Sequence, residues 1–481
     1  MGKTYLAVDL GGGSGRVMAG FIKDDKLVIK EVLRFPNRQI ALGNHIYWDF
    51  LSLFEDVKLG LKKASHDYIN IVSLAVDTWG VDFGLVDKNG NLMGNPLCYR
   101  DARTNGIPQE VFQLINESDY YSRTGIQVMA INTIFQLYSQ KQENEEFLKQ
   151  AHQLLFMPDL VSYFLTGEFG NEYCISSTSG MLDAEKKNWD IGTLEKIGIP
   201  KQILGKVIRP GTVRGKLASS IAKETGLGKI DVISVGSHDT ASAVMALPTQ
   251  NSNVAFLSSG TWSLLGTILE KPILTEDARK AGFTNEGGVG GKIRFLQNIT
   301  GLWILQRLTA EWEQNGKKIS YSELIDQASE SVCSSKIDVD DTVFMNPVSM
   351  EKTIATFCRQ REQHVPQSKG EFVYCVLSSL AKRYKHAVDE MNKLVSKPVS
   401  ELHIIGGGSQ NALLNQLTAN ELNLSVISGP IEATAIGNIL TQAWTLGDIK
   451  SIAELHKTAI ATAKTSVFYP QKNTCKNEFE L

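Results

Sequence analysis

Near the start of the chain, apolar stretches alternate with polar turns in a way that predicts a β-hairpin. An apolar strand covers Tyr5–Leu10, a glycine-rich turn covers Gly11–Gly15, and a second apolar strand covers Arg16–Ile22. A polar turn at Lys23–Lys26 leads into an alternating segment at Leu27–Leu33, which is typical of a half-buried strand. The chain is therefore predicted to open with three consecutive strands.

The same pattern returns in the second half of the chain. An apolar stretch at Asn253–Leu257 enters the turn Ser258–Thr261, and Trp262–Leu269 leaves that turn as another strand. The repetition favours duplication of a domain. Two unrelated hairpins would produce the same pattern, and this alternative stays open.

The spacing of the two hairpins predicts where the domains divide. Thr4 aligns with Asn253 at an offset of 249 residues, about half the chain, which is too long for a short-period repeat. The polar stretch Pro248–Asn253 stands just before the second hairpin. We therefore predict an N-terminal domain at 1–247 and a C-terminal domain at 248–481.

Strands and helices alternate along the rest of the chain. Short apolar runs predict strands, and longer runs with apolar residues every three or four positions predict helices. The predicted strands are Ile69–Val76, Asp231–Val235 and Leu402–Ile405, and the predicted helices are Phe50–Lys63, Phe372–Val395 and Ala412–Leu422. The mixture predicts an α/β fold in which helices cover the faces of sheets.

Composition and charge narrow the classes of function. The chain has 481 residues, 42% apolar and 21% charged, which suits a globular protein with more than one core. A net charge of -3 gives no broad basic surface for nucleic acid or anionic lipid. No apolar stretch approaches the ~18 residues of a membrane span, and the first ten residues read as a strand without a secretory leader. We expect a cytoplasmic monomer or homodimer without membrane or nucleic-acid partners.

The cysteines and histidines do not predict a metal site. The six cysteines include no CxxC pair and the eight histidines are scattered, which argues against bound zinc. Cys358 and Cys375 are 17 residues apart and could form a disulfide if the fold brings them together. A reducing compartment favours two free thiols.

Three glycine-rich turns are candidates for phosphate binding: Gly11–Gly15, Ser258–Thr261 and Gly406–Gly408, the last before a helix predicted to start near Asn411. Backbone N–H groups at such turns can approach a phosphate closely, and a helix N-terminus favours negative charge. The P-loop pattern is absent, and the dinucleotide pattern fails because Arg16 replaces its last glycine and a strand follows. One such turn is most often only a turn, but three in two matching halves favour a polyphosphate site.

Two aspartates complete this pattern. Asp9 ends the first strand just before the glycine turn, where Mg²⁺ beside phosphates would need a hard oxygen ligand. Asp239 lies between a strand and the helical run Ala241–Leu247. It is either an N-cap or the base that deprotonates a substrate hydroxyl, since phosphoryl transfer asks little of its base.

The segment Asp77-Thr-Trp-Gly-Val-Asp82 suits a polyhydroxylated ligand. Its carboxylates and hydroxyl would bind hydroxyl groups, and its indole would cover C–H groups. The alternative is that Trp79 belongs to the core and Asp77 forms a turn.

Taken together, the motifs resemble those of the FGGY carbohydrate kinases, which belong to the superfamily of actin and the chaperone ATPases. The resemblance covers nearly the whole chain. Its motifs are Asp9-Leu-Gly11 with Ser14-Gly-Arg16, Asp77-Thr-Trp-Gly-Val-Asp-Phe83, Tyr99-Arg-Asp-Ala-Arg-Thr104, Ser237-His-Asp-Thr-Ala-Ser-Ala243, Ser258-Ser-Gly-Thr-Trp-Ser263, Asn285-Glu-Gly-Gly288 and Gly406-Gly-Gly-Ser-Gln-Asn411. The Asp-Thr-Trp-Gly-Val-Asp and Ser-His-Asp-Thr-Ala strings are specific to the subgroup that acts on L-rhamnulose.

The resemblance implies two ribonuclease-H-like domains of the actin-like ATPase type with a cleft between them. It implies transfer of the γ-phosphate of ATP, with Mg²⁺, to the 1-hydroxyl of L-rhamnulose. Asp239 would be the catalytic base, and Asp9 and Asp239 would serve Mg²⁺ through water or phosphate. The implied sugar-binding residues are Asp77, Trp79, Gly80, His238, Asp239, Thr240 and Asn298, and the implied nucleotide-binding residues are Gly12, Gly13, Ser14, Gly15, Arg16, Thr261, Gln306 and Gly407.

Two features qualify the resemblance. Gly11-Gly-Gly13 stands where Ala or Ser is usual, so the turn should be more flexible and the KM for ATP should be affected more than the chemistry. Asn298 and Gln306 lie in a stretch that the apolar pattern alone predicts to be a loop entering an apolar helix. The alternative functions are a kinase for another ketose or polyol, such as L-fuculose or L-xylulose, and more distantly a nucleotide-binding regulator or a chaperone-type ATPase.

Overall fold

The computed structural model describes residues 2–314, 316 and 319–471. Its strands are β1 (Thr4–Leu10), β2 (Ser14–Lys23), β3 (Lys26–Pro36), β4 (Gln39–Leu42), β5 (His45–Trp48), β6 (Ile71–Thr78), β7 (Phe83–Val86), β8 (Gln153–Phe156), β9 (Asn171–Glu172), β10 (Leu182–Asp183), β11 (Asn188–Trp189), β12 (Val207–Ile208), β13 (Thr212–Lys216), β14 (Asp231–Ser234), β15 (Val254–Ser259), β16 (Trp262–Leu269), β17 (Thr284–Gly287), β18 (Ile293–Thr300), β19 (Glu401–Ile405), β20 (Ser425–Ser428) and β21 (Ser466–Phe468).

The α-helices are α1 (Phe50–Asp67), α2 (Ile107–Leu114), α3 (Glu117–Thr124), α4 (Thr133–Glu143), α5 (Glu145–Gln150), α6 (Met157–Thr166), α7 (Tyr173–Ser177), α8 (Ile191–Lys196), α9 (Ser219–Thr225), α10 (Asp239–Met245), α11 (Glu276–Lys280), α12 (Trp303–Gln314), α13 (Tyr321–Ser329), α14 (Met350–Gln360), α15 (Lys369–Leu394), α16 (Ala412–Leu422), α17 (Ala433–Thr445) and α18 (Ile452–Thr462). Short 3₁₀ turns cover Ala102–Thr104, Lys201–Ile203, Val289–Gly291, Thr342–Phe344 and Gly407–Gln410. The predicted α/β class is confirmed.

The predicted elements are present, with differences at their ends. The strand expected to begin at Ile69 begins at Ile71, because Asn70 has a left-handed backbone with φ of 54°. The prediction of a loop entering α12 is wrong in part, because strand β18 continues through this stretch as far as Thr300. The side chains of Ile293–Thr300 are largely buried, as expected for a strand that lies between two neighbours, β17 and β16, in its sheet.

The described chain forms two compact units. Unit 1 comprises residues up to Gln250, Ile268–Leu296 and Glu432–Ala463, and unit 2 comprises the rest. Each unit therefore contains segments from both halves of the sequence. The first unit recruits a late helix, α17, which the predicted division at 247/248 had placed in the second domain.

Unit 1 is built on a six-stranded sheet in the order β13-β14-β6-β1-β2-β3. β1 pairs antiparallel with β2 and parallel with β6, and β14 lies parallel to β6. Helix α17 packs against β1, β6 and α10, and α1 packs against β2 and β3. The buried residues of α1 recur every three or four positions, as in Leu53, Val57 and Leu61, so the helix presents one apolar face to the sheet.

Unit 2 has a matching core arrangement. Five neighbouring strands lie wholly or mainly in it, in the order β16-β15-β19-β20-β21. β15 pairs antiparallel with β16 and parallel with β19, as β1 does with β2 and β6. Helices α13, α15 and α16 pack together in this unit. The carboxyl end of β19 leads directly into the third glycine turn, at Gly406–Gly408.

Candidate active site

Two carboxylates lie side by side at the centre of the sheet of unit 1. Asp9 on β1 and Asp77 on β6 are partners in the parallel register, so their side chains leave the sheet on the same face. Burial and then the charge of Asp9 raise the pKa of Asp77 well above its usual value. Burial raises the pKa of Asp9 despite Arg16, and the charge of Asp239 adds to this. The three aspartates therefore act on one another electrostatically.

Arg16 partly neutralises this cluster. Its guanidinium forms ion pairs with Asp9 and with Glu432, the residue before α17. Arg16 stands opposite Asp9 in the antiparallel register of β1 and β2, which places it beside the turn Gly11–Gly15. The predicted nucleotide residues of this turn and the predicted metal ligand Asp9 therefore come together.

Helix α17 holds Asp77 through buried amides. Asn438 Nδ2 donates to Asp77 Oδ2 at 2.5 Å, and Gln442 Nε2 donates to Asn438 Oδ1 at 2.7 Å. Ser73 Oγ donates to Gln442 Oε1 at 2.6 Å and completes the row. Neither Asn438 nor Gln442 was predicted, although two amide side chains four apart in a largely buried helix are a signal for a buried network.

Asp239 is not an N-cap. Helix α10 begins at Asp239, its N-cap position is His238, and no side chain there caps the helix. Asp239 Oδ1 instead accepts from the N–H of Thr240 at 2.5 Å and from its hydroxyl at 3.1 Å. The side chain of Asp239 is 33% exposed, compared with 8% for Asp9. The N-cap interpretation fails, and a partly accessible carboxylate remains at the amino end of a helix.

His238 lies between two acids. Its Nδ1 is 3.3 Å from Glu286 Oε2 and its Nε2 is 3.4 Å from Asp239 Oδ1. Glu286 faces Arg294 across the β17–β18 ladder, and Arg294 Nη1 is 3.0 Å from Glu286 Oε2. Burial opposes ionisation of Glu286, but Arg294 and His238 outweigh it and lower its pKa. A buried ionic row thus orients the predicted sugar-binding histidine.

Gly80 lies against this histidine. A Cβ placed on Gly80 would be 3.4 Å from His238 Nε2 and 3.4 Å from Thr178 Oγ1. The N–H of Thr78 donates to the carbonyl of Ser237 at 2.9 Å and joins the two loops. The predicted sugar residues Gly80, His238, Asp239 and Thr240 are therefore neighbours.

Trp79 points into the protein. It is 6% exposed, its ring centroid is 4.3 Å from that of Trp48, and both indole N–H groups donate to Asp82. Gln136 Nε2 donates to the other oxygen of Asp82 at 3.1 Å. Burial raises the pKa of Asp82 to about 6, although the donors lower it. The carboxylate of Asp82 thus ties the loop that carries Gly80 to the core.

Glu172 is a further buried acid that the sequence did not reveal. It caps α7 by accepting from the N–H groups of Cys174 and Ile175, and its Oε2 accepts from the N–H of Ser237 at 3.1 Å. Burial raises its pKa to about 7. Glu172 therefore fixes the backbone two residues before Asp239.

Unit 2 contains a cavity of about 680 Å³. Gln306 and Gly407, both predicted to bind nucleotide, line it together with Tyr321 and Asn411. Thr261 Oγ1 donates to Gln306 Oε1 at 3.1 Å, so the second glycine turn lies at its edge. The remaining lining combines an aliphatic part, formed by Leu302, Leu305, Ala310, Ile325 and Ala412, with a polar part formed by Thr309, Glu313, Ser322, Asp326 and Gln410. A flat, neutral ring would suit this surface.

Asn411 connects the third glycine turn to helix α16. Its side-chain Oδ1 accepts from the N–H of Leu414 as the N-cap of α16, and its Nδ2 donates to Tyr321 at 2.9 Å. The predicted helix start near Asn411 is confirmed. Asn298 lies half-buried on β18 in unit 2.

The remaining predictions concern the cysteines, possible metal ligands and membrane-spanning helices. Cys358 and Cys375 are buried free thiols, and Cys475 lies outside the described residues. Within the described chain, no three His, Cys, Asp or Glu side chains are arranged to hold a metal by themselves. None of the described helices is both long enough and apolar enough to cross a membrane.

Comparison with known protein families gives matches to both halves of the chain. Residues 4–246 match the N-terminal domain of the FGGY family of carbohydrate kinases, and residues 255–446 match its C-terminal domain. A rhamnulokinase of Bacteroides thetaiotaomicron is 42% identical over 472 residues, covering 98% of this chain and 96% of that protein. A rhamnulokinase of Oceanobacillus iheyensis is 37% identical, covering 94% and 96%.

Solved structures share the fold. A gluconate kinase from Lactobacillus acidophilus matches with a TM-score of 0.80 at 16% identity, over 98% of this chain and 94% of that one. A Plasmodium falciparum glycerol kinase with ADP matches with a TM-score of 0.78 at 15% identity, over the same shares. At these identities the likeness concerns the fold.

Proposed function

The chain belongs to the FGGY family of carbohydrate kinases, and on that premise we propose that it transfers the γ-phosphate of ATP to the 1-hydroxyl of L-rhamnulose. The products are L-rhamnulose 1-phosphate and ADP. The observation that carries the choice of sugar is the 42% identity, over 98% of the chain, to a rhamnulokinase.

In the proposed reaction Asp239 accepts the proton of the 1-hydroxyl. The hydroxyl oxygen forms its bond to phosphorus as the bond between phosphorus and the ADP oxygen breaks. A partly exposed carboxylate at the first residue of α10 can reach a bound hydroxyl, and a loose phosphoryl-transfer transition state needs only a weak base. His238 and Thr240 flank Asp239 and would orient the sugar with Gly80.

The residues of unit 1 also suit Mg²⁺. Asp77 Oδ1 is buried and, among the described residues, has no hydrogen-bond partner, and the charges of Asp9 and Asp239 add to burial in raising the pKa of Asp77. A hard divalent cation favours such oxygens and would neutralise charge on the transferred phosphoryl group. We propose that Asp9 and Asp239 hold Mg²⁺ through water or phosphate, while Arg16 and the turn Gly11–Gly15 bind phosphate.

In unit 2 we propose that the 680 Å³ cavity receives the base of ATP. Gln306, Gly407 and Thr261 would be its polar contacts, and Asn298 would belong to the sugar site. Domains at 1–247 and 248–481 remain our proposed division of the fold. A cytoplasmic location fits an ATP substrate and the free thiols among the described cysteines.

The test is a comparison of ketoses. Purified full-length protein with Mg²⁺ and ATP is given L-rhamnulose, L-fuculose or L-xylulose, and ADP release is measured. We expect kcat/KM for L-rhamnulose to be higher by about tenfold or more, since pocket contacts discriminate such groups by ~1–3 kcal/mol. ³¹P NMR should place the phosphate on C1. Equal or better turnover of another ketose would overturn the choice of sugar.

A further inference from the structure

We propose that Asn37 is a positioning residue that holds the turn Gly11–Gly15 in its phosphate-binding shape and thereby lowers the KM for ATP. The inference rests on the proposed function, because it assumes that this turn binds a nucleotide phosphate. It concerns a residue outside every motif noted in the sequence.

Asn37 bonds twice to the turn. Its side-chain Nδ2 donates to the carbonyl of Gly11 at 2.9 Å, and its backbone N–H donates to the carbonyl of Gly13 at 3.2 Å. It directly follows β3, whose last residue, Pro36, pairs with Ser14. The sheet therefore brings Asn37 against the turn. Asn37 is 8% exposed, so these bonds are shielded from competing water.

The amide orientation follows from the chemistry of the turn. A carbonyl can only accept, so the group that faces Gly11 must be the Nδ2 donor. Asn37 Oδ1 is buried and has no hydrogen-bond partner among the described residues. An aspartate of the same shape could not make the bond to Gly11.

The glycines of the turn explain why it needs the hydrogen bonds of Asn37. A Cβ on Gly13 would meet no described atom within 4 Å, and one on Gly12 would meet only Tyr99 Oη at 3.9 Å. Neither glycine has a left-handed φ. The packing of the protein's own atoms and the backbone angles therefore do not require glycine at either position, whereas a Cβ on Gly15 would overlap the ring of Phe35.

Gly12 and Gly13 leave the turn flexible, and its ordering on phosphate binding costs conformational entropy. Asn37 restrains the carbonyls on both sides of Gly12, so it reduces the freedom of those glycines before the nucleotide arrives. The glycine run predicts a high KM for ATP, and the two hydrogen bonds of Asn37 to the turn counteract this effect.

The experiment is a double-mutant cycle in the full-length protein. The variants are Asn37→Ala, Gly13→Ala, the double variant, and Asn37→Asp as the same-shape replacement. Asn89→Ala is the matched control, because Asn89 is exposed and its backbone N–H bonds to Asp87 in a distant turn. KM for ATP and for L-rhamnulose, kcat, melting temperature and calorimetric binding of ADP with Mg²⁺ are measured.

We expect Asn37→Ala to raise the KM for ATP by about fivefold, with kcat and the KM for the ketose within about twofold. Asn37→Asp should raise it by about tenfold or more, since it adds a charge beside phosphate. Gly13→Ala should lower it by about twofold, and in that background Asn37→Ala should cost only about twofold.

The proposal is overturned if Asn37→Ala leaves the KM for ATP unchanged, if both KM values rise together, or if Gly13→Ala gives no rescue. If Asn37→Ala does not fold, the Asn37→Asp and Gly13→Ala variants decide by the same criteria. Failure of the parent protein to bind ADP with Mg²⁺ would instead overturn the proposed function.

Discussion

The two hairpin turns, one in each unit, follow the same strand pairing but are held differently. The turn Gly11–Gly15 is braced by a side chain, Asn37, and stands beside three carboxylates. The turn Ser258–Thr261 is held by main-chain bonds: Gly301 N–H donates to Thr261 and Leu302 N–H donates to Gly260. It stands beside the cavity of unit 2, which has a substantial aliphatic lining.

The difference indicates that the two turns serve different parts of the proposed reaction. The first turn belongs to a charged site, where in the proposed function a magnesium ion would offset the repulsion among the carboxylates and the phosphate. The second belongs to a site where shape and apolar contact matter more. Substitution of the carboxylates of unit 1 should therefore affect the chemical step, and substitutions around the second turn should affect nucleotide affinity.

The largest expected effect is that of Asp239→Asn. Without the base, kcat should fall by about 10²–10⁴-fold while ADP binding is kept, because the change also removes a like charge near Asp9 and Asp77. Rates of ADP release and calorimetry with ADP and Mg²⁺ test this. Normal turnover in the variant would show that Asp239 is not the base. It would also contradict the assignment of the chemical step to the carboxylates of unit 1.

The next effect concerns the main chain that holds the second turn. A Cβ on Gly301 would be 2.6 Å from the carbonyl carbon of Trp262 and 2.7 Å from Gly260 O, backbone atoms with little freedom to move. Gly301→Ala should lower the free energy of unfolding by about 1–3 kcal/mol and raise the KM for ATP by more than about tenfold.

The matched control for Gly301→Ala is Gly192→Ala. Gly192 is an exposed residue of α8, and the nearest atom to its added Cβ is Asp190 Oδ1 at 3.9 Å. This variant should be as stable as the parent or slightly more so. Unchanged ATP kinetics in Gly301→Ala would mean that the second turn does not depend on its main-chain bonds.

The smallest effect concerns pH and Asp82. Its folded pKa of about 6 lies above the unfolded value, so the folded state binds a proton more tightly. The contribution of Asp82 to stability is therefore full below the unfolded pKa and is lost as pH rises to 6. The free energy of unfolding of the parent, relative to Asp82→Asn, should fall by about 2 kcal/mol between pH 4 and 6 in denaturant titrations.

A neighbouring acid gives the opposite sign. The backbone N–H of Asn91 and further donors lower the pKa of Asp87, so its contribution is present at higher pH and lost as pH falls. Relative to Asp87→Asn, parent stability should rise with pH. If the stability of the parent relative to each variant changed with pH in the same direction, the raised pKa that we attribute to burial of Asp82 would be contradicted.

The sequence by itself determined the two hairpins, the glycine turns and the order of the key aspartates. Apolar periodicity and turn residues act over a few positions, so these features can be predicted from short segments of the sequence. Helix α16 has its predicted bounds for this reason. The family motifs placed Asp239 and His238 before any contact was known.

Tertiary structure decided which distant residues serve those motifs. Asn37 reaches Gly11 across 26 positions, and Asn438 reaches Asp77 across 361. It also decided that His238, not Asp239, occupies the N-cap position of α10. Strand pairing and helix packing bring such residues together, and no local pattern encodes a contact between elements so far apart along the chain.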